Sequence, residues 1–174
     1  MRWMWIDRIT DLVKGERCVA VKNVSLAEEH LHDHFPAEGE RRAQPVMPGS
    51  LITEGMAQTA GILVGHARDF KEKVVLAKIA KASFELDITP GQTLIYSAQL
   101  ERIDDSGART AGTVEVVGPA GVDDQRRAVG QIDLMFSHID QNMSGLDFPE
   151  HNFIFHDQFF DLLINSGFPV EPAQ

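Results

Sequence analysis

Apolar and polar positions alternate in two short β-branched stretches, Ile9–Val13 and Cys18–Val24, on either side of Lys14-Gly15-Glu16. Alternation broken by a glycine predicts a hairpin. Ser25-Leu-Ala-Glu-Glu-His-Leu follows, with Glu28 three residues after Ser25. That spacing predicts a short helix with Ser25 as its N-cap. From His32 to Pro48 the prolines Pro36 and Pro45 predict a loop. The period then changes. Ser50 to about Arg68 reads as one long helix, fed by the turn Pro48-Gly49. Leu51, Ile52, Met56, Ala57, Ala60, Ile62, Leu63, Val64 and Ala67 leave almost no polar face, so the helix is expected to be buried. Gly55, Gly61 and Gly65 lower its intrinsic propensity. They make sense where other backbone packs close.

Four strand-like runs come next: Val74–Phe84, Thr93–Ile103, Arg109–Val117 and Arg126–Ile139. Asp104-Asp105-Ser106-Gly107 and Gly118-Pro119-Ala120-Gly121 are turn signals between the later ones. Runs joined in this way predict an antiparallel meander. The expected class is α+β, an antiparallel sheet curved around one long central helix. The last segment is acidic and aromatic, with Phe148, Phe153, Phe155, Phe159, Phe160 and Phe168. Asp157–Asn165 reads as a short amphipathic helix closed by Gly167. The tail is too apolar for simple disorder. The expected division is a domain over 1–138 and an extension over 139–174 that packs on that domain or on a neighbouring subunit.

Composition narrows the classes. The chain of 174 residues is 43% hydrophobic and 24% charged, as in a globular domain able to bury its own core. Cys18 is its only cysteine, which excludes a disulfide framework and suits a reducing, cytoplasmic setting. The first residues have no uninterrupted apolar run of the signal-peptide kind, and no run is long enough to predict a membrane helix. The net charge is -10, and residues 137–174 contribute six acids with no Lys or Arg. Such a chain repels nucleic acid unless it has a local basic stripe, and none with interleaved aromatics is present. The nearest cluster, Lys71, Lys73, Lys78 and Lys81, reads as a solvated face or as a docking point for an acidic partner.

Ser50, Glu54 and Gln58 are spaced by four and form a polar stripe one residue wide on the apolar helix. A solvent-facing stripe is the ordinary reading of such a row. A stripe this narrow also suits a carboxyl group held in an apolar crevice, where desolvation favours the protonated form and a general acid. Gly49 precedes the helix, where unpaired N–H groups and the dipole favour an oxyanion and the absent side chain admits a carbonyl. It is equally a plain turn glycine. His34 stands close to His30 and His32. A metal site is not expected there, because no cysteine accompanies them and Pro36 soon ends any helix that would align them.

His34-Phe35-Pro36 followed by Pro45-Val46-Met47-Pro48-Gly49-Ser50-Leu51-Ile52-Thr53-Glu54-Gly55-Met56-Ala57-Gln58 resembles the signature of the β-hydroxyacyl-(acyl carrier protein) dehydratases of bacterial type II fatty acid synthesis. Trp5-Ile6-Asp7-Arg8-Ile9, Ser83-Phe84 and Thr89-Pro90-Gly91 extend the likeness, which runs from about residue 4 to 138. The resemblance implies a hot-dog fold with active sites between two subunits, hence at least a homodimer and up to a trimer of dimers. It implies His34 as base, Glu54 as acid, Gly49 as the amide that polarises the thioester carbonyl, and Gln58 in support. It implies an apolar acyl tunnel, for which Leu51, Met56 and Leu63 are candidates beside the ordinary reading of each as a core residue. No cofactor, metal, nucleic acid or membrane is implied. The implied partner is acyl carrier protein or acyl-CoA, with Arg41, Arg42, Lys71 and Lys73 as candidate docking cations.

The chain departs from that pattern in two places. Ala37–Gln44 makes the link after His34-Phe35-Pro36 about six residues longer, an insertion that costs little loop-closure entropy but lies beside the proposed base. Glu85, Leu86, Asp87 and Gln92 stand where the family often has basic residues and an acid. Three other readings therefore stand beside dehydration: a hot-dog thioesterase, a non-catalytic acyl-thioester-binding module, and a structural partner of another hot-dog subunit.

Overall fold

The computed structural model describes residues 4–119, 123–139 and 152–168. Phe148 and the turn tip at 120–121 lie outside the described residues. The strands are β1 Arg8–Val13, β2 Arg17–Asn23, β3 Val74–Phe84, β4 Thr93–Asp104, β5 Gly107–Val117 and β6 Arg126–His138. The helices are α1 Glu29–His32, α2 Gly49–Ala67 and α3 Asp157–Asn165. The strands form one six-stranded sheet in the order β1-β2-β4-β5-β6-β3, antiparallel throughout. No helix of the described residues is long and apolar enough to cross a membrane.

The expected meander holds for β4, β5 and β6 only. β3 pairs with β6 and ends the sheet. The reason lies in the connections. β4 is already paired along its other edge with β2, from Thr93 opposite Asn23 to Gln99 opposite Arg17. The link from Phe84 to Thr93 is no tight turn; it passes beneath the start of α2, where Met47 N–H donates to the Ile88 carbonyl at 2.8 Å. β3 is thus free to close the sheet on the far side.

α1 also differs from expectation. Its predicted cap, Ser25, instead closes a turn: the Ala27 N–H donates to Ser25 Oγ at 3.1 Å and the Ser25 N–H to Glu28 Oε1 at 3.2 Å. Glu28 is also held by Lys22 at 3.0 Å, and the helix begins only at Glu29.

α2 is buried along more than half its length, as an all-round apolar helix must be. Its hydroxyls are satisfied internally, with Thr53 and Thr59 donating to the Gly49 and Gly55 carbonyls at 2.8 and 2.7 Å. Gly55 is required by close approach, since a Cβ there would lie 2.3 Å from the Tyr96 ring on β4. α3 and the residues before it pack on the same body. Phe155, Phe160 and Leu163 belong to the core cluster that contains α2, and each such burial stabilises by about 1.5–3 kcal/mol. Asn152 donates to the Phe70 and Glu72 carbonyls at 3.0 and 3.1 Å, and Ser166 Oγ accepts from the Ile9 N–H at 3.0 Å.

Candidate active site

Glu54 projects from the second turn of α2 and is half-buried. Gln58, one turn further on, is buried and fixes it. The Gln58 carbonyl oxygen accepts from the Trp5 and Ile6 N–H groups at 2.8 and 3.4 Å. Two backbone donors settle which end of the amide is which, so the NH₂ group faces Glu54 and donates to its Oε1 at 2.8 Å. Oε1 is thereby committed as an acceptor, and Oε2 is the oxygen left to carry or release a proton.

Gly49 forms the first turn of α2, among the amides that have no acceptor inside the helix. A side chain at this position would meet the Phe84 ring at 3.0 Å, so glycine lets the end of β3 lie against the helix start. Phe84 is a site-side contact that the sequence pattern does not reveal.

His34 lies just after α1, half-buried, with its Nδ1 2.7 Å from the Leu31 carbonyl. A carbonyl only accepts, so Nδ1 carries the proton, and the neutral ring presents an unprotonated Nε2. Its neighbours do not converge on it. His30 packs on Trp5 with ring centroids 5.3 Å apart and lies 3.6 Å from Glu28. Among the described residues no three His, Cys, Asp or Glu side chains are placed to hold a metal. The insertion after His34 folds into a small hairpin of its own. The Gln44 N–H donates to the Phe35 carbonyl, and Glu38 and Arg41 exchange both backbone hydrogen bonds at 3.0 Å, with Gly39 in the left-handed conformation.

A cavity of about 170 Å³ opens beside Glu54 and Gln58. Its walls on the body of the domain are Ala57, Gly61, Ile62, Val74, Leu76 and Phe136. Neither His34 nor Gly49 lines it; α2 carries Glu54, Gln58 and Gly49, while His34 lies on the segment after α1. Met56 and Leu63 take their ordinary reading as core residues. Both are wholly buried core residues, and neither borders the cavity. Helical geometry gives the reason: the face that carries Glu54 continues at positions three, four and seven residues on, namely Ala57, Gln58 and Gly61. Met56 and Leu63 point elsewhere. Leu51 is half-buried and lines a different, polar cavity of about 600 Å³ with Trp5, Lys22 and His30. The charges there are mutually paired, Lys22 lying 3.0 Å from Glu28 and 3.5 Å from Asp7.

Among the candidate docking cations, Arg42 and Lys71 are exposed, and Arg41 is exposed but paired with Glu38 at 3.1 Å. Lys73 is corrected: it is only 6% exposed, because it sits at the buried entrance to β3, and it offers no charge to a partner.

A family model described as a FabA-like domain matches residues 2–128. The chain is similar to the 3-hydroxyacyl-(acyl-carrier-protein) dehydratase FabZ of Caldanaerobacter subterraneus subsp. tengcongensis, with 35% identity over 131 residues, 75% of this chain and 84% of the relative. It is 33% identical to the same-named protein of Enterococcus faecalis over 117 residues, 67% of this chain and 79% of the relative. Among solved structures it is similar to a thioesterase family protein from Silicibacter pomeroyi, with a TM-score of 0.58 at 13% identity over 75% of this chain and 82% of that one. It is also similar to the dehydratase heterocomplex ApeI:P from Xenorhabdus doucetiae, with a TM-score of 0.57 at 16% identity over 79% of this chain and 84% of that one. At such identities the structural likeness shows the fold alone.

Proposed function

The chain belongs to the FabA-like family and has the hot-dog fold, and from that premise we propose how its residues carry out the reversible dehydration of 3-hydroxyacyl-(acyl carrier protein) in fatty acid synthesis. The observation that carries the reading is a carboxyl group locked at the mouth of an apolar cavity, with Gln58 holding Glu54 Oε1 and leaving Oε2 free. The thioester carbonyl accepts from the Gly49 N–H, which stabilises the enolate-like charge that develops when the C2 proton leaves. Nε2 of a neutral His34 takes that proton. The C3–O bond breaks, its electron pair leaves with the oxygen, and Glu54 Oε2 supplies the proton that turns it into water. The double bond forms between C2 and C3. His34 then returns a proton to Glu54 through solvent.

The base in this scheme comes from His34 of the partner subunit, so the working unit is at least a dimer. Support comes from β3, an edge strand with exposed Leu76, Ile79 and Phe84. An apolar unpaired edge of this length is a template for pairing with another chain. The sequence relatives favour this reading over a thioesterase or a non-catalytic module. Carrier recognition falls to the exposed Arg42 and Lys71, and to Arg41 where its pairing with Glu38 yields.

The test follows the loss of enoyl absorbance as crotonyl thioester is hydrated, on carrier protein and on CoA. Wild type is expected to form 3-hydroxybutyryl thioester, and Glu54→Ala and His34→Ala to be inactive alone. Co-assembled, the two variants are expected to regain about one quarter of wild-type rate, because half the dimers hold one intact site of two. Inactive mixtures would place both groups in one subunit and end the shared-site scheme.

A further inference from the structure

We propose that the C-terminal segment, outside the region matched by the family, sets the acyl chain length that the enzyme accepts. The inference rests on the dehydratase reading and concerns the far end of the same cavity. The family match ends at residue 128, yet Ile154, Phe155 and Phe159 form part of the wall of the cavity that Glu54 borders. An acyl chain whose C3 sits at Glu54 runs over Ala57 and Gly61, the small residues of that helix face, and meets these three side chains.

The closure is built rather than incidental. Phe155 is 5% exposed and lies against Gly65, where a Cβ would come within 2.4 Å of its ring. Its ring meets Phe70 edge-on at 5.0 Å and Phe159 at 5.8 Å. Asn152 Oδ1 accepts from the Ile154 and Phe155 N–H groups at 3.0 and 3.3 Å, while its NH₂ group is tied to the carbonyls of Phe70 and Glu72. The stop is therefore anchored to the end of α2, the helix that also carries Glu54. Stop and acid keep a fixed separation, which is what a gauge requires.

The cavity of about 170 Å³ is close in size to an apolar cavity of roughly 150 Å³ that holds the six carbons of benzene. With C1 to C3 outside it at the reacting end, a space of this size suits acyl chains of about eight carbons better than chains of about twelve. Phe159 is half-buried, whereas Phe155 is buried in the core, so Phe159 is the side chain to change. Removing the whole segment would strip Phe155, Phe160 and Leu163 from the core and confound the result.

The experiment measures kcat/KM for hydration of trans-2-enoyl thioesters of four, six, eight and twelve carbons in the full chain. Wild type is expected to use twelve carbons at least ten-fold less well than six. Phe159→Ala is expected to raise the twelve-to-six ratio at least ten-fold, and Phe159→Trp to lower the eight-to-four ratio. Circular dichroism and size measurement check that both variants are folded. A wild type indifferent to chain length, or folded variants with unchanged ratios, would overturn the gauge while leaving the dehydratase standing. No turnover at any length sinks the dehydratase reading, and the gauge with it.

Discussion

The proposed acid and the proposed base stand on opposite kinds of backbone. Glu54 sits in the second turn of a 19-residue helix buried along most of its length, and Gln58 ties it to the chain entering β1. His34 follows a helix of four residues and precedes an exposed hairpin, and its ring is oriented by one hydrogen bond to Leu31. The fold of a single chain places the acid. In the proposed scheme the base, aimed locally, meets the acid on assembly. Catalytic geometry held on helices is generally tighter than geometry held on loops, so the two halves should respond differently to dilution, mutation and pH.

The largest effect comes from removing either group. Glu54→Ala and His34→Ala should each lower kcat by about 10²–10⁴-fold. Dilution separates the halves: wild-type specific activity should fall as the oligomer dissociates, without loss of helix content. Activity independent of concentration down to a demonstrated monomer would break the comparison.

Next comes the tie itself. Gln58→Ala removes the acceptor of the Trp5 N–H and the donor to Glu54. A buried group left unsatisfied costs about 1–3 kcal/mol, read as a lower urea midpoint. If Gln58 positions the acid, kcat falls more than KM rises. A purely structural Gln58 would lower stability and leave the kinetics of the folded fraction unchanged. Gly55→Ala tests the packing of α2 on β4, because its Cβ would strike the Tyr96 ring at 2.3 Å. Overpacking of this kind typically costs about 1–3 kcal/mol.

This asymmetry also decided what could be read before the structure was known. α2 was legible because its apolar positions surround it and its start is marked by Pro48-Gly49. The length of β3 was legible too, but not its partner, because a sheet neighbour depends on which edge is free and not on the strand's own residues. Glu54 and Gln58 stood out as polar positions on an apolar helix. The cavity wall was partly within reach: Ala57 and Gly61 follow Glu54 at helical spacing, whereas Met56 and Leu63 do not. Leu76, Phe136 and Phe159 converge from three distant segments, and no spacing in the chain announces that.

A smaller effect is expected from the insertion. Replacing residues 37–44 with two residues should shift the urea midpoint little, since the hairpin bonds mainly to itself and loop length weighs only logarithmically. A change in kcat/KM of less than about three-fold is expected, as for a surface loop. A collapse of activity with stability retained would mean that the hairpin, and not Leu31 alone, aims the base.

The mildest test separates the response of the scaffold to acid from that of the base. His66 lies on the last turn of α2, where burial first, and then the nearby Lys14 charge, lower its pKa below the usual histidine value of 6.5, opposed in part by Asp69. The folded protein therefore binds fewer protons at His66 than the unfolded chain does. The contribution is fully present above about pH 6.5 and is lost as the pH falls below that value toward the folded-state pKa. Urea midpoints between pH 7.5 and 5.5 should decline in wild type and decline less in His66→Gln. The group is half-buried and still partly screened by solvent, so the difference should be modest. Equal slopes would remove His66 from the account. Should the acid-side loss of rate persist in His66→Gln while the loss of stability shrinks, the rate loss belongs to the proton-transfer groups and not to the helix that carries Glu54.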